Sequence, residues 1–280
     1  MSDRFAFTLI LATCGRTHEV ARFFASLRSE RCQSLPLQII VADQNGDDRL
    51  VPILKSLPQA WHVEHVRSSV RGVCAARNEV LQRIDAPFVA FPDDDCIYAD
   101  HTLEEALRLF ESRRDVDILM GVWSGLDEPF ASSGKELPPR PVSRYSLFRH
   151  GEMFVQFYRT AVVQKVGKFD EAFGPGPDSR YPFGGDDSDY LARAILSGAT
   201  AVRCASLHVY HPRQDMRGFS VDKIAGYGRT RMALLRKLHY PWWFRLLNVV
   251  YPLVRILASP IRFRYYGAMF RGRFLGLCKR

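Results

Sequence analysis

The chain carries the stretch FVAFPDDDCIY at residues 88–98, which joins two features that decide its fold. Residues 88–91 are apolar without interruption, as is typical of a strand buried on both faces of a parallel sheet. After Pro92 come three adjacent carboxylates, Asp93, Asp94 and Asp95. Nothing in the local sequence neutralises them, and like charges raise one another's pKa and cost stability. The stretch therefore predicts a buried strand that ends in a charged site.

Strand and helix patterns alternate on both sides of this stretch. Apolar runs predict strands at 5–12, 37–43, 61–66 and 117–122, and periodic patterns predict helices at 18–30, 72–84 and about 101–112. This alternation predicts an α/β fold whose central sheet is mostly parallel, with helices on both faces. A Pro, Gly and Ser-rich segment at 124–144 predicts a long loop, which is often a binding loop or lid.

Ligands of such sheets bind beyond the carboxyl ends of the strands. Residues 13–16, Asp43 and residues 93–95 each follow a predicted strand, so we expect them along one edge. An aspartate at a helix start can cap free N–H groups, which is one interpretation of the acidic cluster. Three in a row exceed that role, and carboxylate oxygens suit Mg²⁺ or Mn²⁺. A divalent metal site is the favoured hypothesis.

Other charged residues have two interpretations each. In GGDDSDY (184–190), Asp186 and Asp187 either cap a helix or approach a substrate beside the two glycines. His208 and His211 are either structural residues or, for His211, a metal ligand just past a strand. Arginines at loop-to-helix junctions form ion pairs or neutralise a bound diphosphate; these are Arg16, Arg71 and Arg77.

The charge of the chain is divided unevenly along its length. The net charge is +9, yet residues 223–280 contain thirteen Lys and Arg and no acid, which leaves residues 1–222 slightly acidic. We therefore predict a catalytic domain at 1–222 and a basic, aromatic-rich helical tail at 223–280. The basic balance alone also fits a nucleic-acid-binding module, but acidic clusters at the site edge would repel a polyanion. We expect no nucleic-acid partner.

The apolar run at 242–261 has too many interruptions for a spanning helix. Asn248, Arg255 and Arg262 are spaced seven apart, which places them on one polar face of a helix. That pattern favours a helix lying on an anionic membrane surface, while packing of the tail on the catalytic domain is the alternative.

The cysteine pattern and the N-terminal segment bear on the compartment. Six scattered cysteines without a C-x-x-C pair indicate reduced thiols. The first apolar run is short and lacks a basic flank, so it predicts a core strand and not a signal peptide. The expected location is cytoplasmic, peripheral to the inner face of the cell membrane.

Seven segments occur in an order that resembles the family-2 glycosyltransferases of the GT-A fold. They are TCGR, VADQNGD, RGVCAARNEV, FPDDDC (a D-x-D-type motif), GKFDEAFGPG, GGDDSDY and VYH, spread over residues 5–211. The resemblance implies an inverting enzyme that transfers a sugar from a nucleoside diphosphate sugar, with UDP- or dTDP-sugars expected as donors. It implies a glycan or lipid-linked acceptor hydroxyl and Mg²⁺ or Mn²⁺ as the cofactor.

The same resemblance implies roles for individual residues. Thr13 and Arg16 would line the nucleotide pocket, and Asp43 would contact the base. Arg77 would lie near the diphosphate, Asp93 and Asp94 near the ribose and sugar, and Asp95 and His211 at the metal. Asp187 would be the general base, with Asp186 as the alternative because the family usually has Glu-Asp at this point. A phosphoryl or nucleotidyl transferase is a further alternative, although the chain lacks a P-loop pattern.

Overall fold

The computed structural model describes residues 4–28, 34–128, 138–149, 151–215 and 218–278. Its strands are β1 (Phe7–Thr13), β2 (Leu37–Asp43), β3 (His62–Arg67), β4 (Phe88–Ala90), β5 (Ile97–Tyr98), β6 (Ile118–Ser124), β7 (Arg140–Val142), β8 (Gln156–Arg159) and β9 (Ala201–Tyr210). The predicted loop at 124–144 and the end of the helix predicted at 18–30 lie partly outside these residues.

The α-helices alternate with the strands and then continue alone to the C-terminus. They are α1 (His18–Ser26), α2 (Val51–Lys55), α3 (Val73–Val80), α4 (Thr102–Ser112), α5 (Thr160–Val166), α6 (Asp186–Leu196), α7 (Val221–Lys237), α8 (Trp242–Ala258) and α9 (Phe263–Cys278). Three-residue 3₁₀ turns include Leu147–Arg149, Met153–Val155 and Pro260–Arg262.

The strands form one mixed sheet in the order β3-β2-β1-β4-β8-β6-β9-β5, with β7 also on β9. The first four strands are parallel, as expected. β8 then runs antiparallel to both β4 and β6, while β9 is parallel to β6. The predicted α/β class is confirmed, and the predicted parallel order applies to β1, β2, β3 and β4. Because β8 is entered from a 3₁₀ turn and not from a crossover helix, its direction is reversed.

Helices cover both faces of the sheet, which explains the unbroken apolar strands. Leu9 and Leu11 of β1 point into a core shared with α1 and α4. Ile10 points into a second core, shared with α3, α6 and α7. Successive residues of a strand face opposite sides, so both faces must be apolar when both are covered.

The C-terminal helices attach to the second core through α7. Met232 and Leu235 of α7 are fully buried there. The first helix of the predicted tail therefore packs into the same core as the sheet. α9 packs so closely on α7 that a Cβ at Gly272 would lie only 2.0 Å from the Ala225 carbonyl oxygen. Only glycine fits at this position. Within the described ranges, no helix has the length and apolar character needed to cross a membrane.

Candidate active site

The carboxyl ends of the strands bring the predicted site residues together. Thr13 and Asp43 are register partners at the ends of β1 and β2. Asp93 forms an isolated parallel bridge with Ala12, which sets the acidic stretch directly beside β1. His211 follows β9 and donates its backbone N–H to Ser124 at the end of β6. The ends of β1, β2 and β4 therefore lie along one edge, as the sequence predicted, and the end of β9 lies there as well. We call Asp93, Asp94 and Asp95 the acidic edge.

Asp94 is held by the residues that follow β1. The Thr13 hydroxyl donates to one Asp94 carboxylate oxygen at 2.7 Å, and Arg16 Nη1 lies 2.6 Å from the other. The same Arg16 nitrogen is 2.5 Å from Asp95 Oδ2. Burial raises the pKa of Asp94, and Thr13 and Arg16 only partly oppose this effect. Thr13, Arg16 and Asp94, all predicted to contact the donor, thus form one connected group.

Asp93, Asp95 and His211 converge on a common point, and we call them the metal triad. One ligand atom from each lies within 4.8 Å of the others. His211 Nε2 is 3.1 Å from Asp95 Oδ1 and 3.8 Å from Asp93 Oδ2. Two carboxylates and one imidazole are a donor set that fits Mn²⁺ or Mg²⁺. Asp95 and His211 were predicted to be metal ligands. Asp93 is the third member of the triad, although the sequence predicted it to lie near the ribose and sugar of the donor.

The orientation of the His211 ring is fixed from two sides. Phe154 stacks on it at 4.3 Å with an interplanar angle of 4°. Nδ1 is 2.9 Å from the Pro212 carbonyl oxygen, which can only accept, so Nδ1 carries a proton. Burial alone would lower the pKa of His211, but Asp95 and Asp93 outweigh it and the pKa is raised. Nε2 is hydrogen-bonded to Asp95, and it is the ring nitrogen that would be available to a metal ion.

Protonation differs between the two carboxylates of the triad. Burial raises the pKa of Asp93 to about 6, against the opposing effect of Arg77 and His211. Burial also opposes ionisation of Asp95, but the His211 hydrogen bond and the Arg16 charge prevail, so its pKa lies below the usual value. Asp95 is the carboxylate that remains ionised most readily in this group.

Arg77 of α3 connects the acidic edge to the second acidic cluster. Its side chain is only 2% exposed. Nη2 is 3.1 Å from Asp93 Oδ1, and Nη1 is 3.5 Å from Asp186 Oδ2. The guanidinium also lies 5.5 Å from the centre of the Phe169 ring. Arg77 was predicted near a diphosphate, and it lies beneath the site as a buried counter-charge.

Asp186 and Asp187 have different environments at the start of α6. Asp186 is buried against Gly174, where a Cβ would come within 2.8 Å of its carboxylate. Asp187 is half-buried. Burial, then the charges of Asp186 and Asp93, raise the pKa of Asp187 well above its usual value. Asp186 is thus fixed by Arg77 and packing, while Asp187 is the half-buried acid whose pKa is raised.

Asp43 lies at the predicted edge, where its carboxylate is 0% exposed and fully hydrogen-bonded. It contacts His65 Nε2 at 2.8 Å, Arg67 Nη1 at 2.9 Å and the Asn45 backbone N–H at 2.9 Å. The sequence reasoning did not single out His65 and Arg67. Their positions two apart at the carboxyl end of β3 could have indicated a shared face.

Two further candidates lie away from the metal triad. His208 is buried in β9 beside the Tyr210 ring at 4.6 Å, and burial lowers its pKa to about 4. Its burial is consistent with the structural interpretation of the two given above. Arg71 is exposed, and its Nη1 lies 3.3 Å from Cys14 Sγ.

A family model described as glycosyl transferase family 2 matches residues 8–167. No curated protein matches the chain. Among solved structures, S. aureus TarS superposes with a TM-score of 0.63 at 14% identity, covering 94% of this chain and 55% of that one. The chain thus spans about half the length of TarS.

Two complexes are also similar. The TarS 1–349 fragment with UDP-GlcNAc gives a TM-score of 0.63 at 14% identity over 98% of this chain and 93% of the fragment. The mannosyltransferase PcManGT from Pyrobaculum calidifontis was solved in complex with GDP-Man and Mn²⁺. It gives a TM-score of 0.68 at 13% identity over 98% of this chain and 88% of PcManGT. At these identities the likeness establishes the fold.

Proposed function

The chain belongs to glycosyl transferase family 2, and we propose that it moves a sugar from a nucleoside diphosphate sugar to an acceptor hydroxyl with inversion. The observation that carries this proposal is the metal triad lying one buried arginine away from the Asp186–Asp187 pair. A metal-diphosphate site and a proton acceptor are the two parts that a single displacement at the anomeric carbon requires.

We assign the donor side to residues at the ends of β1, β2 and β4. Thr13, Arg16 and Asp94 would contact the nucleotide, since their connected side chains lie at the carboxyl edge where α/β sheets bind ligands. Asp43 was predicted to contact the nucleobase. Because its own carboxylate is already fully hydrogen-bonded, the groups that it positions would make this contact. The expected donors are UDP- and dTDP-sugars, and the GDP-Man complex of PcManGT adds GDP-sugars to the panel.

We assign a divalent cation, Mn²⁺ or Mg²⁺, to Asp93, Asp95 and His211. Their donor set fits such an ion, and PcManGT was solved with Mn²⁺. When bound, the ion would act as a Lewis acid for the departing diphosphate. Arg77 keeps its charge at neutral pH, since Asp93 and Asp186 outweigh the burial that would lower its pKa. It thereby offsets the charge of both acidic clusters from below.

Asp187 is the proposed general base. Its raised pKa makes it a better proton acceptor than an ordinary aspartate, and it accepts the acceptor hydroxyl proton as the oxygen attacks the anomeric carbon. Asp186, the alternative, is ion-paired with Arg77 and packed on Gly174, so we give it a positioning role. No side chain needs to attack the sugar, hence a single displacement inverts the anomeric centre.

The acceptor side includes the membrane surface. The Asn248 and Arg255 side of α8 faces α9, where Arg255 Nε donates to the Tyr266 hydroxyl at 3.1 Å. The opposite side exposes apolar residues, among them Trp242, Leu253, Val254 and Leu257. An outward apolar face with adjacent cations fits peripheral binding to an anionic leaflet and a glycan or lipid-linked acceptor there.

Slow hydrolysis of the donor without acceptor tests the proposed activity. The purified protein is incubated with UDP-, dTDP- and GDP-sugars, with and without Mn²⁺, and the released sugar is followed by NMR. We expect metal-dependent release from one nucleotide class, with the first product having the opposite anomeric configuration. Retention of configuration, or equal release in the presence of a chelator, would contradict the proposed mechanism.

A further inference from the structure

A large cavity lies among the C-terminal helices, formed by α7, α8, α9 and the turns at Leu147–Arg149 and Pro260–Arg262. Its volume is about 1140 Å³, above the ~300–1,000 Å³ of ordinary small-molecule sites. We call it the C-terminal cavity. None of the predicted catalytic or donor-binding residues lines it. The glycosyltransferase chemistry proposed above therefore does not account for it.

Two arginines from facing helices point into this cavity. Arg273 of α9 is only 8% exposed; its Nη1 donates to the Asn248 carbonyl at 2.6 Å, and its Nε has no hydrogen-bond partner in the described structure. Arg231 of α7 stacks on the Phe148 ring at 3.8 Å and donates weakly to the Phe148 carbonyl at 3.4 Å. Among the described residues, neither forms an ion pair with a carboxylate.

The charges around the two arginines are mostly positive. Arg149, Arg262 and Arg264 also line the cavity, and Asp215 is the acidic group among the described lining residues. Burial, then repulsion from Arg273, lowers the pKa of Arg231 to about 9, so both guanidinium groups remain charged at neutral pH. Buried like charges cost free energy unless an anion joins them. A phosphate matches the planar donor geometry of arginine.

Most of the remaining lining residues are apolar or aromatic, which a free anion would not require. It includes Phe219, Ile224, Phe244, Leu247, Tyr251 and Met269. At the edge of the cavity stands Ile261, 93% exposed, close in sequence to Leu257, 83% exposed. The cavity thus opens beside the outward apolar face of α8. Its occupant needs a phosphate at one end and apolar chains at the other.

We propose that the C-terminal cavity binds a single anionic phospholipid, with its phosphate between Arg231 and Arg273 and its first methylene groups along the aromatic lining. The proposal rests on the membrane association proposed above and adds a specific site to it. A bound lipid would hold α8 and α9 against the bilayer while the acidic edge stays free for the donor.

Short-chain lipids that remain monomeric in water test the site without a bilayer, donor or acceptor. Calorimetry compares dihexanoyl phosphatidic acid, dihexanoyl phosphatidylcholine and inorganic phosphate with the full chain. We expect the phosphatidic acid to bind about tenfold or more tightly than either of the others, since only it combines a net anion with apolar chains. Equal binding of inorganic phosphate would overturn the lipid assignment, and equal binding of phosphatidylcholine would overturn the recognition of charge.

Three variants locate the binding. Arg231→Gln should weaken phosphatidic acid binding about tenfold or more, because a charge-assisted contact is lost. Met269→Trp keeps both arginines but fills the cavity, and should also reduce binding. Arg271→Gln on the exposed side of α9 is the matched control and should bind as the parent protein does. Unchanged binding in both cavity variants, each with a melting temperature like that of the parent, would overturn the proposal even if donor hydrolysis is observed.

Discussion

Each carboxylate of the acidic edge lies close to a cation. Arg77 lies 3.1 Å from Asp93, and Arg16 contacts both Asp94 and Asp95. The C-terminal cavity is arranged differently, because Arg231 and Arg273 have no carboxylate partner among the described residues. The chain therefore balances much of the charge at its active site internally, and leaves positive charge in the cavity for a ligand to balance.

Because the acidic edge already has cationic neighbours, it requires less positive charge from a metal ion. The three aspartates lack partners in the local sequence, but Arg16, Arg77 and His211 supply positive charge from distant segments. Repulsion alone is therefore a weaker argument for a cation than the sequence suggested. The convergence of the metal triad on one point is the stronger argument.

The largest expected effect is on catalysis by Asp187, the proposed general base. Asp187→Asn should reduce sugar transfer by about 10²–10⁴-fold, the usual contribution of a general base. Donor affinity should stay unchanged, because Asp187 lies outside the metal triad. Steady-state kinetics with calorimetry of the donor separates the two effects. Substantial residual turnover in Asp187→Asn, with loss in Asp186→Asn, would transfer the role to Asp186.

Arginine substitutions in the two regions should affect stability differently. Arg77→Met leaves the half-buried Asp93 and the buried Asp186 without their shared cation, and should lower the free energy of unfolding by about 3–5 kcal/mol. Arg231→Met removes a half-buried charge and leaves no carboxylate without a partner, so the change should stay below about 1 kcal/mol or be stabilising. Urea unfolding followed by circular dichroism measures both.

The exposed Arg71→Met is the control for these variants, with an expected change within about 0.5 kcal/mol. Equal destabilisation by Arg77→Met and Arg231→Met would mean that both regions are balanced by internal partners. The comparison between them would then be wrong.

Membrane binding should depend on the apolar face beside the cavity. The double variant Leu257→Asp with Ile261→Asp should reduce partitioning into anionic vesicles about tenfold or more, since burying a leucine contributes about 1.5–3 kcal/mol. Leu196→Asp, at an exposed leucine of α6, is the matched control. Vesicle sedimentation gives the partition coefficient, and equal losses in both variants would indicate a general effect of charge and not a specific face.

The smallest expected effect is a shift in pH dependence. Because the pKa of Asp187 is raised, kcat/KM should fall as the pH drops through that raised value, well above the usual ~3.9 of aspartate. Ionising Asp187 also costs folding free energy, so its contribution to stability declines as pH rises from the unfolded pKa to the folded one. Asp187→Asn should therefore melt at a higher temperature than the parent at neutral pH. An activity profile that stays flat down to about pH 4 would contradict the raised pKa.

Much of the site was predictable because strand patterns are local. The continuous apolar runs that became β1, β2 and β4 identify their own carboxyl ends, and these ends bring Thr13, Asp43 and Asp93 to one edge. The antiparallel insertion of β8 has no such local signal. Its direction depends on the path of the chain between β6 and β8.

Partners far apart in sequence were not predictable. Arg77 and Asp186 are more than a hundred residues apart, and nothing in either segment specifies the other. The seven-residue spacing placed Asn248, Arg255 and Arg262 on one helix face, but Arg262 lies in the 3₁₀ turn after α8 ends. The direction of the face that carries Asn248 and Arg255 depends on α9. It turns toward Tyr266 and Arg273, and so leaves the apolar side outward.

Titration of the nucleoside diphosphate tests the central claim most directly. Calorimetry with UDP, dTDP and GDP is carried out on the parent protein with and without Mn²⁺, and then on Asp95→Asn. The account predicts that one nucleotide binds tightly only with Mn²⁺, and that Asp95→Asn loses this metal-dependent part while keeping the parent melting temperature. Binding that is equally tight without the metal, and unchanged in Asp95→Asn, would contradict the assignment of the metal triad.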